Sequence, residues 1–205
     1  MGIIPGWLKT AWNDRQERRR IHDHHKAQMK KLELAITQQD ITAISETILA
    51  TEQRESFTID NYDRLLRLAI ATDNLDIFSK IYRLAKSPTP NYKFQGNSTV
   101  MPRSDLYFTS YHPLLSTAIE SGAAKIALQL ARDPQTDIYA RSYSEKISYY
   151  SEEIHGSLQT ESSRNYADSA LILAKQKGMN DVAATLAQRE AADLTAKAAQ
   201  LTRRS

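Results

Sequence analysis

Side chains able to do chemistry gather in a few places along the chain. His22, His24 and His25 form one cluster, and the three-residue step from His22 to His25 would let that pair share a helix face and hold a divalent metal. Metal sites need ligands that converge from a fixed scaffold, and Lys26 occupies the helical position where a further ligand to His22 would sit. The expectation is a solvated basic face with no metal. Glu152 and Glu153 beside His155 could be drawn as an acid–base set, but adjacent residues on a helix point in different directions. A phosphate-cradling glycine loop, His-Glu-x-x-His and Gly-x-Ser-x-Gly are all missing. No catalytic residue and no cofactor are expected, and the chain reads as a non-enzyme.

Tyrosine is the residue that concentrates. Tyr107, Tyr111, Tyr139, Tyr143, Tyr149 and Tyr150 crowd into one stretch, with Phe108 among them. Tyrosine offers a large contact area for little lost rotamer entropy, so it is enriched at protein interfaces. Tyr139, Tyr143, Ile147, Tyr150 and Ile154 follow steps of four, four, three and four, which predicts a helical stripe ended near Gly156. Tyr143 and Tyr150 would pack inward from that stripe, and Tyr149 would face out. The candidate partner-binding residues are Tyr107, Phe108, Tyr111, Arg141 and Tyr149.

The N-terminal stretch carries a second kind of surface. Ile3, Ile4, Trp7, Leu8, Ala11 and Trp12 recur at helical spacing, and Pro5 is placed to open a helix. A mostly basic run follows, from Arg15 through Arg18, Arg19 and Arg20 to Lys30 and Lys31, diluted by Asp14, Glu17 and Asp23. Tryptophan beside arginine on an amphipathic helix suits a membrane interface, and it equally suits a cap over the end of a helical array. Trp7, Leu8, Trp12, Arg18, Arg19 and Arg20 are therefore the candidate residues for docking on a membrane or a partner.

Composition bounds these readings. The chain has 205 residues, 41% hydrophobic and 25% charged, enough for one sizeable core or a short solenoid. Its net charge of +3 is too small to point to nucleic acid, which is not an expected partner. No apolar run is long enough to span a bilayer. The absence of cysteine excludes disulfides, thiolate metal sites and a cysteine nucleophile, and fits a reducing compartment. The opening residues lack the charge and long apolar stretch of a signal peptide, so the expected location is the cytoplasm.

The elements that would position these residues repeat. Leu32-Glu33-Leu34-Ala35-Ile36, Leu65-Leu66-Arg67-Leu68-Ala69-Ile70, Leu114-Leu115-Ser116-Thr117-Ala118-Ile119 and Leu171-Ile172-Leu173-Ala174 are each followed by a second apolar stripe. Each predicts a helix–turn–helix unit that cannot bury its apolar face without a stacked neighbour. In the first unit, Ile41, Ile44, Ile48 and Leu49 form the second stripe; in the second, Asn74 caps a helix carrying Leu75, Ile77, Phe78 and Ile81. Residues 87–110, with Pro88, Pro90, Gly96 and Pro102, read as a long loop. After residue 186, Ala187, Ala191, Leu194, Ala198 and Leu201 make a narrow seam of the coiled-coil kind, through which the chain could oligomerise.

The third and fourth units carry a family resemblance. His112-Pro113-Leu114-Leu115, then Ser121-Gly122, then Asp137-Ile138-Tyr139-Ala140-Arg141 resemble the opening motif, inter-helix turn and hairpin start of an ankyrin repeat. Residues 166–186, with Lys177-Gly178 at the turn, are similar; the first two units lack both the Pro-Leu opening and the turn glycine. The resemblance implies recognition through hairpin tips and inner helices. The expected fold is all-α: a short irregular solenoid of about four helix–turn–helix units. Residues 1–30 form an N-terminal helix, 31–186 the repeats with insertions at about 87–110 and 141–165, and 187–205 a C-terminal extension. The expected function is a scaffold or adaptor that binds another protein through repeat loops and a concave face. The alternative is a peripheral membrane-associated component anchored by its N-terminal helix on an anionic surface.

Overall fold

One backbone device closes every helical hairpin in this chain. A computed structural model describes residues 6–52, 59–84, 88–96, 99–100, 106–151 and 158–202, with backbone alone for 6–13, 51–52, 59–61, 99–100, 106–108, 148–151 and 158–161. The hairpins pair α1 (Gly6–Thr37) with α2 (Ile41–Glu52), α3 (Ile59–Ala71) with α4 (Leu75–Tyr82), α5 (Leu114–Glu120) with α6 (Ala124–Arg132), and α7 (Ala170–Gln176) with α8 (Asn180–Thr202). Each first helix carries a buried alanine near its end: Ala35, Ala69, Ala118 and Ala174. Four residues beyond each alanine the backbone turns left-handed, at Gln39 (φ 56°), Asp73 (φ 48°), Gly122 (φ 79°) and Gly178 (φ 69°).

This turn satisfies carbonyls that a helix end leaves without partners. The amides of Gln39, Asp73, Gly122 and Gly178 donate to the carbonyls three residues back, at 3.0–3.1 Å. Those of Asp40, Ala123 and Met179 donate to the buried alanines 35, 118 and 174, at 2.9–3.0 Å. Nothing lies within 4 Å of where a Cβ would stand on Gly122 or Gly178, so backbone conformation alone favours glycine there. The first two units make the same turn without glycine, at Gln39 and Asp73.

The following helices are capped from the turns. Asp40 Oδ1 accepts from the Ala43 amide at 2.9 Å, and Asn74 Oδ1 from those of Asp76 and Ile77 at 3.0 and 3.3 Å. Helix α6 has no cap from its own Ala123. Its Lys125 and Ile126 amides donate instead to Asp73 Oδ1 in the preceding hairpin, at 2.9 and 3.2 Å. Asn74 reaches the other way, donating to Gln39 Oε1 at 3.4 Å, so the turns of three consecutive hairpins are tied together.

The hairpins stack in series and in two layers. Helices α1, α3, α5 and α7 contact one another in order, and so do α2, α4, α6 and α8. Leu32, Ile36, Leu65, Leu66, Ile70, Ile77, Ile81, Leu114, Ile119 and Ile126 are fully buried between them. Each such side chain contributes about 1.5–3 kcal/mol over its exposed state. Leu49 is exposed rather than part of the second stripe of the first unit. The 30/31 and 186/187 positions fall inside continuous helices, α1 and α8.

The all-α expectation is overturned by an antiparallel sheet, which makes the fold α+β. The sheet has five strands: β1 (Lys93–Gln95), β2 (Thr99–Val100), β3 (Leu106–Pro113), β4 (Tyr143–Ser151) and β5 (Leu158–Tyr166). Their order is β1-β3-β4-β5, with β2 also paired to β3. The first three strands fall largely within the region read as a loop, β4 replaces the helix expected from the tyrosine stripe, and β5 follows it. The reason is that a four-residue step returns to one face of a strand as well as of a helix. Tyr143 and Ile147 are equally consistent with either, and a run of Tyr, Ser and Ile prefers the pleated form. The two long connections, between α4 and α5 and between α6 and α7, thus supply strands, and β3 pairs with β4 to join them.

Gln39 and Asp73 separate the two roles of the turn. A non-glycine residue in the left-handed region costs about 1–2 kcal/mol, against about 0.5–1 kcal/mol of extra chain entropy for glycine. Gln39→Gly should therefore raise the unfolding free energy by roughly 0.5 kcal/mol, since the long, exposed hydrogen bond from Asn74 that it gives up contributes little. Asp73→Gly should lower it by a similar amount, because the cap on α6 is lost. Urea denaturation of both variants checks this, and equal signs would contradict the capping role of Asp73.

Candidate interaction site

Three tyrosines far apart in the chain meet on the sheet. The register sets Tyr111 of β3 opposite Tyr143 of β4, and Tyr143 opposite Tyr166 of β5. The Tyr111 and Tyr143 rings stack with centroids 4.9 Å apart and planes 28° apart, and Tyr143 and Tyr166 lie 5.6 Å apart at 46°. Such cross-strand aromatic pairs are among the stronger units of sheet stabilisation. Tyr111 and Tyr143 are half-buried, whereas Tyr166 is 58% exposed.

An ion pair braces the row. Glu145 sits opposite Arg164 one strand over, and the Arg164 Nε donates to Glu145 Oε1 at 2.8 Å. The Arg164 guanidinium also lies 5.3 Å from the Tyr143 ring centroid, within cation–π range. The hydrogen bond to Glu145, then one involving Tyr166, hold that guanidinium still more firmly protonated. The result is a preformed strip of amphipathic rings beside a fixed charge pair.

The sheet is rooted in the helices by a second aromatic group. Tyr92 packs edge-on against Tyr62 of α3 and against Phe94 of β1, with both centroid distances 5.3 Å. Its hydroxyl donates to Asp63, and Arg67 lies 4.3 Å over the buried Phe94 ring. Tyr62 donates to the Tyr82 carbonyl at 3.1 Å. Burial pushes the phenols of Tyr62 and Tyr92 above the ordinary tyrosine value, and for Tyr92 the hydrogen bond to Asp63 adds to it.

The second connection is held by two clamps. Asn91 donates from Nδ2 to the Gln135 carbonyl at 3.0 Å and accepts from the Asp137 amide at 2.6 Å. Arg189 of α8 donates to the carbonyls of Ala131, Asp133, Pro134 and Thr136 at 2.8–3.3 Å. Tyr139 is anchored to α8, where its hydroxyl meets Asp193 Oδ2 at 3.0 Å. A cleft of about 480 Å³ opens between the ends of α4 and α6, walled by Phe78, Tyr82 and Leu130 with Arg83 and Asp133 among its polar lining.

The structure distributes the expected site residues unevenly. Tyr111 lies in the tyrosine row. Tyr107 and Phe108 pair by backbone with Ile147 and Lys146, and Tyr149 with Thr160, while their side chains lie outside the described residues. Arg141 is exposed just before β4 and takes no part in the row. Trp7, Leu8 and Trp12 belong to α1 by backbone, with side chains outside the description, and Arg18, Arg19 and Arg20 are exposed on the same helix. Glu152, Glu153 and His155 lie outside the described residues. Among the described residues, no three His, Cys, Asp or Glu side chains converge as metal ligands.

Tyr143, Tyr166, Glu145 and Arg164 are the residues that sequence reasoning missed as a group. Tyr143 is not packed inside a helical stripe but stands in a cross-strand row. Tyr143 and Ile147 share one face of a strand, but the charged Glu145 between them breaks the apolar–polar alternation that would have marked it.

The buried phenols predict alkaline sensitivity. The folded chain keeps protons on Tyr62 and Tyr92 that the unfolded chain releases from about pH 10 upward. Stability is complete below that value and falls as pH climbs through it. Denaturant midpoints measured between about pH 8 and 11 should decline less steeply in the Tyr62→Phe, Tyr92→Phe double variant than in the unaltered chain. An unchanged slope would remove these two phenols as the cause.

Compared with protein-family models, with curated proteins and with solved structures, the chain matches none.

Proposed function

We propose that this protein is a non-catalytic scaffold or adaptor built on divergent ankyrin-like helical repeats, and that it binds another protein through its tyrosine-bearing sheet. The observation that carries this reading is the row of Tyr111, Tyr143 and Tyr166, held in register and partly open to solvent. Rings already fixed by stacking lose little freedom on binding, so their contact area converts efficiently into affinity. The Glu145–Arg164 pair adds orientation at small energetic cost, because it is formed before the partner arrives. The ankyrin resemblance supports the same surface, since recognition in that family falls on the hairpins between helix pairs.

Crosslinking and capture from the native cell would identify the partner. Tyr143→Ala combined with Tyr166→Ala should then weaken its binding by tenfold or more, because truncated aromatic anchors cost about 2 kcal/mol or more. The far-UV circular dichroism of the helices should be unchanged. Full affinity in the double variant would end the assignment.

A second reading rests on α1. Its residues 14–24 are exposed on every side, and the basic members Arg15, Arg18, Arg19 and Arg20 outnumber Asp14, Glu17 and Asp23. Ile21 is the large apolar side chain among them, 47% exposed, so attraction to an anionic surface would be mainly electrostatic and screened by salt. No described helix is long and apolar enough to cross a membrane. Flotation with phosphatidylserine vesicles should recover the protein at low salt, and changing Arg18, Arg19 and Arg20 to Glu should abolish recovery. Equal recovery of both proteins would remove this reading.

A further inference from the structure

Strand β5 ends the sheet, and its outer edge is the longest unpaired hydrogen-bonding edge among the described strands. The β4–β5 register runs without a bulge from Tyr143 opposite Tyr166 to Ser151 opposite Leu158. The strand therefore presents nine residues, about 30 Å of straight backbone. Natural sheets blunt such edges with charged side chains, lysine above all, or with proline, bulges or a covering element. Strand β5 contains no proline or lysine, its charged residues are Glu161 and Arg164, and residues 162–166 are exposed.

We propose that this edge pairs with the same edge of a second copy, antiparallel about a two-fold axis at Ser162, the middle residue of the strand. A symmetric contact requires one patch to complement itself. Pairing about Ser162 sets Leu158 opposite Tyr166, Gln159 opposite Asn165, Thr160 opposite Arg164, and Glu161 opposite Ser163. By register position, an apolar residue falls opposite an aromatic one, an amide opposite an amide, and each charged residue opposite a hydroxyl residue, so no two like charges share a position. Arg164 is already held by Glu145, which leaves the edge without an uncompensated cation to repel a copy of itself. The joint also continues an existing feature: the row of Tyr111, Tyr143 and Tyr166 would run on into the Leu158 position of the second copy.

A single pair of strands buries less than the 1,200–2,000 Å² of a standard stable interface, so the dimer is weak and concentration-dependent. This self-pairing is made by the backbone of the sheet edge and touches the tyrosine row only at Tyr166, so it does not rest on partner binding.

The chain has no cysteine, which permits a clean test. At the two-fold position, a residue opposes its own copy with Cα atoms about 4.5–5.5 Å apart, within the span of a disulfide. In Asn165→Cys the two thiols would stand about 20 Å apart along the strands. Under mild oxidation, full-length Ser162→Cys should form a covalent dimer at a concentration where Asn165→Cys remains largely monomeric. Sedimentation of the unaltered protein should show reversible dimers. Ser162→Lys and Ser162→Glu should each raise the dissociation constant at least tenfold, and their equimolar mixture should restore it. An unaltered chain that stays monomeric at its highest soluble concentration would overturn the proposal. So would equal crosslinking at the two cysteine positions, or dimers indifferent to the charges. Partner capture by the same charge variants reports separately on the tyrosine face.

Discussion

A hairpin of two helices covers only one side of its apolar stripe, and the rest of this molecule follows from covering the other side. Leu65, Leu66 and Ile70 in α3 can be fully buried only because α1 and α5 lie on either side. Stacking of that kind demands that each hairpin turn through the same angle. The left-handed residue four positions after a buried alanine supplies this, and the alanine keeps the turn close to its neighbours. Capping across hairpins, from Asp73 to the amides of α6, then makes the register of one unit depend on the one before. In the terminal units, which have one neighbour instead of two, Leu34, Leu49 and Ile172 remain exposed.

The sheet grows out of the same constraint. Stacked hairpins place the connections between them side by side, and two long connections so placed can satisfy their backbone groups on one another. Strand β3 comes from the first and β4 and β5 from the second, so the β3–β4 ladder is a contact between the two long connections. Its lower end is fixed by Tyr92 and Phe94 against α3, and the second connection by Asn91 and by the four carbonyls that Arg189 gathers. Rigidity at the root supports the rings beside it, which begin at Tyr111 opposite Gln95. A tyrosine cluster on an unsupported loop would lose the ordering entropy that this one has already given up.

Local pattern carried much of this. The four apolar phrases, the caps at Asp40 and Asn74, and the glycines at 122 and 178 are features of neighbouring residues, and they mark the helices and turns where these occur. What they could not reveal was that Gln39 adopts the glycine conformation, since its residue type does not signal it; Asp73 belongs to a type that visits that region more often, a signal too general to mark a turn. The concentration of tyrosine marks the stretch that holds Tyr111 and Tyr143 but not Tyr166. Its spacing points to a helical period, because a step of four suits both periods and only the single step of three from Ile147 to Tyr150 distinguishes them.

The chain by itself determined where apolar stripes begin and end, that they come in stackable pairs, and that aromatic residues crowd the later connections. Tertiary structure alone decided that the connections pair as strands, that Tyr111, Tyr143 and Tyr166 meet, and that Arg164 finds Glu145. The physical reason is range. Helix caps and apolar periodicity act over a few residues, while a strand needs a partner elsewhere in the chain, and that partner is chosen only when stacked helices bring the two connections together.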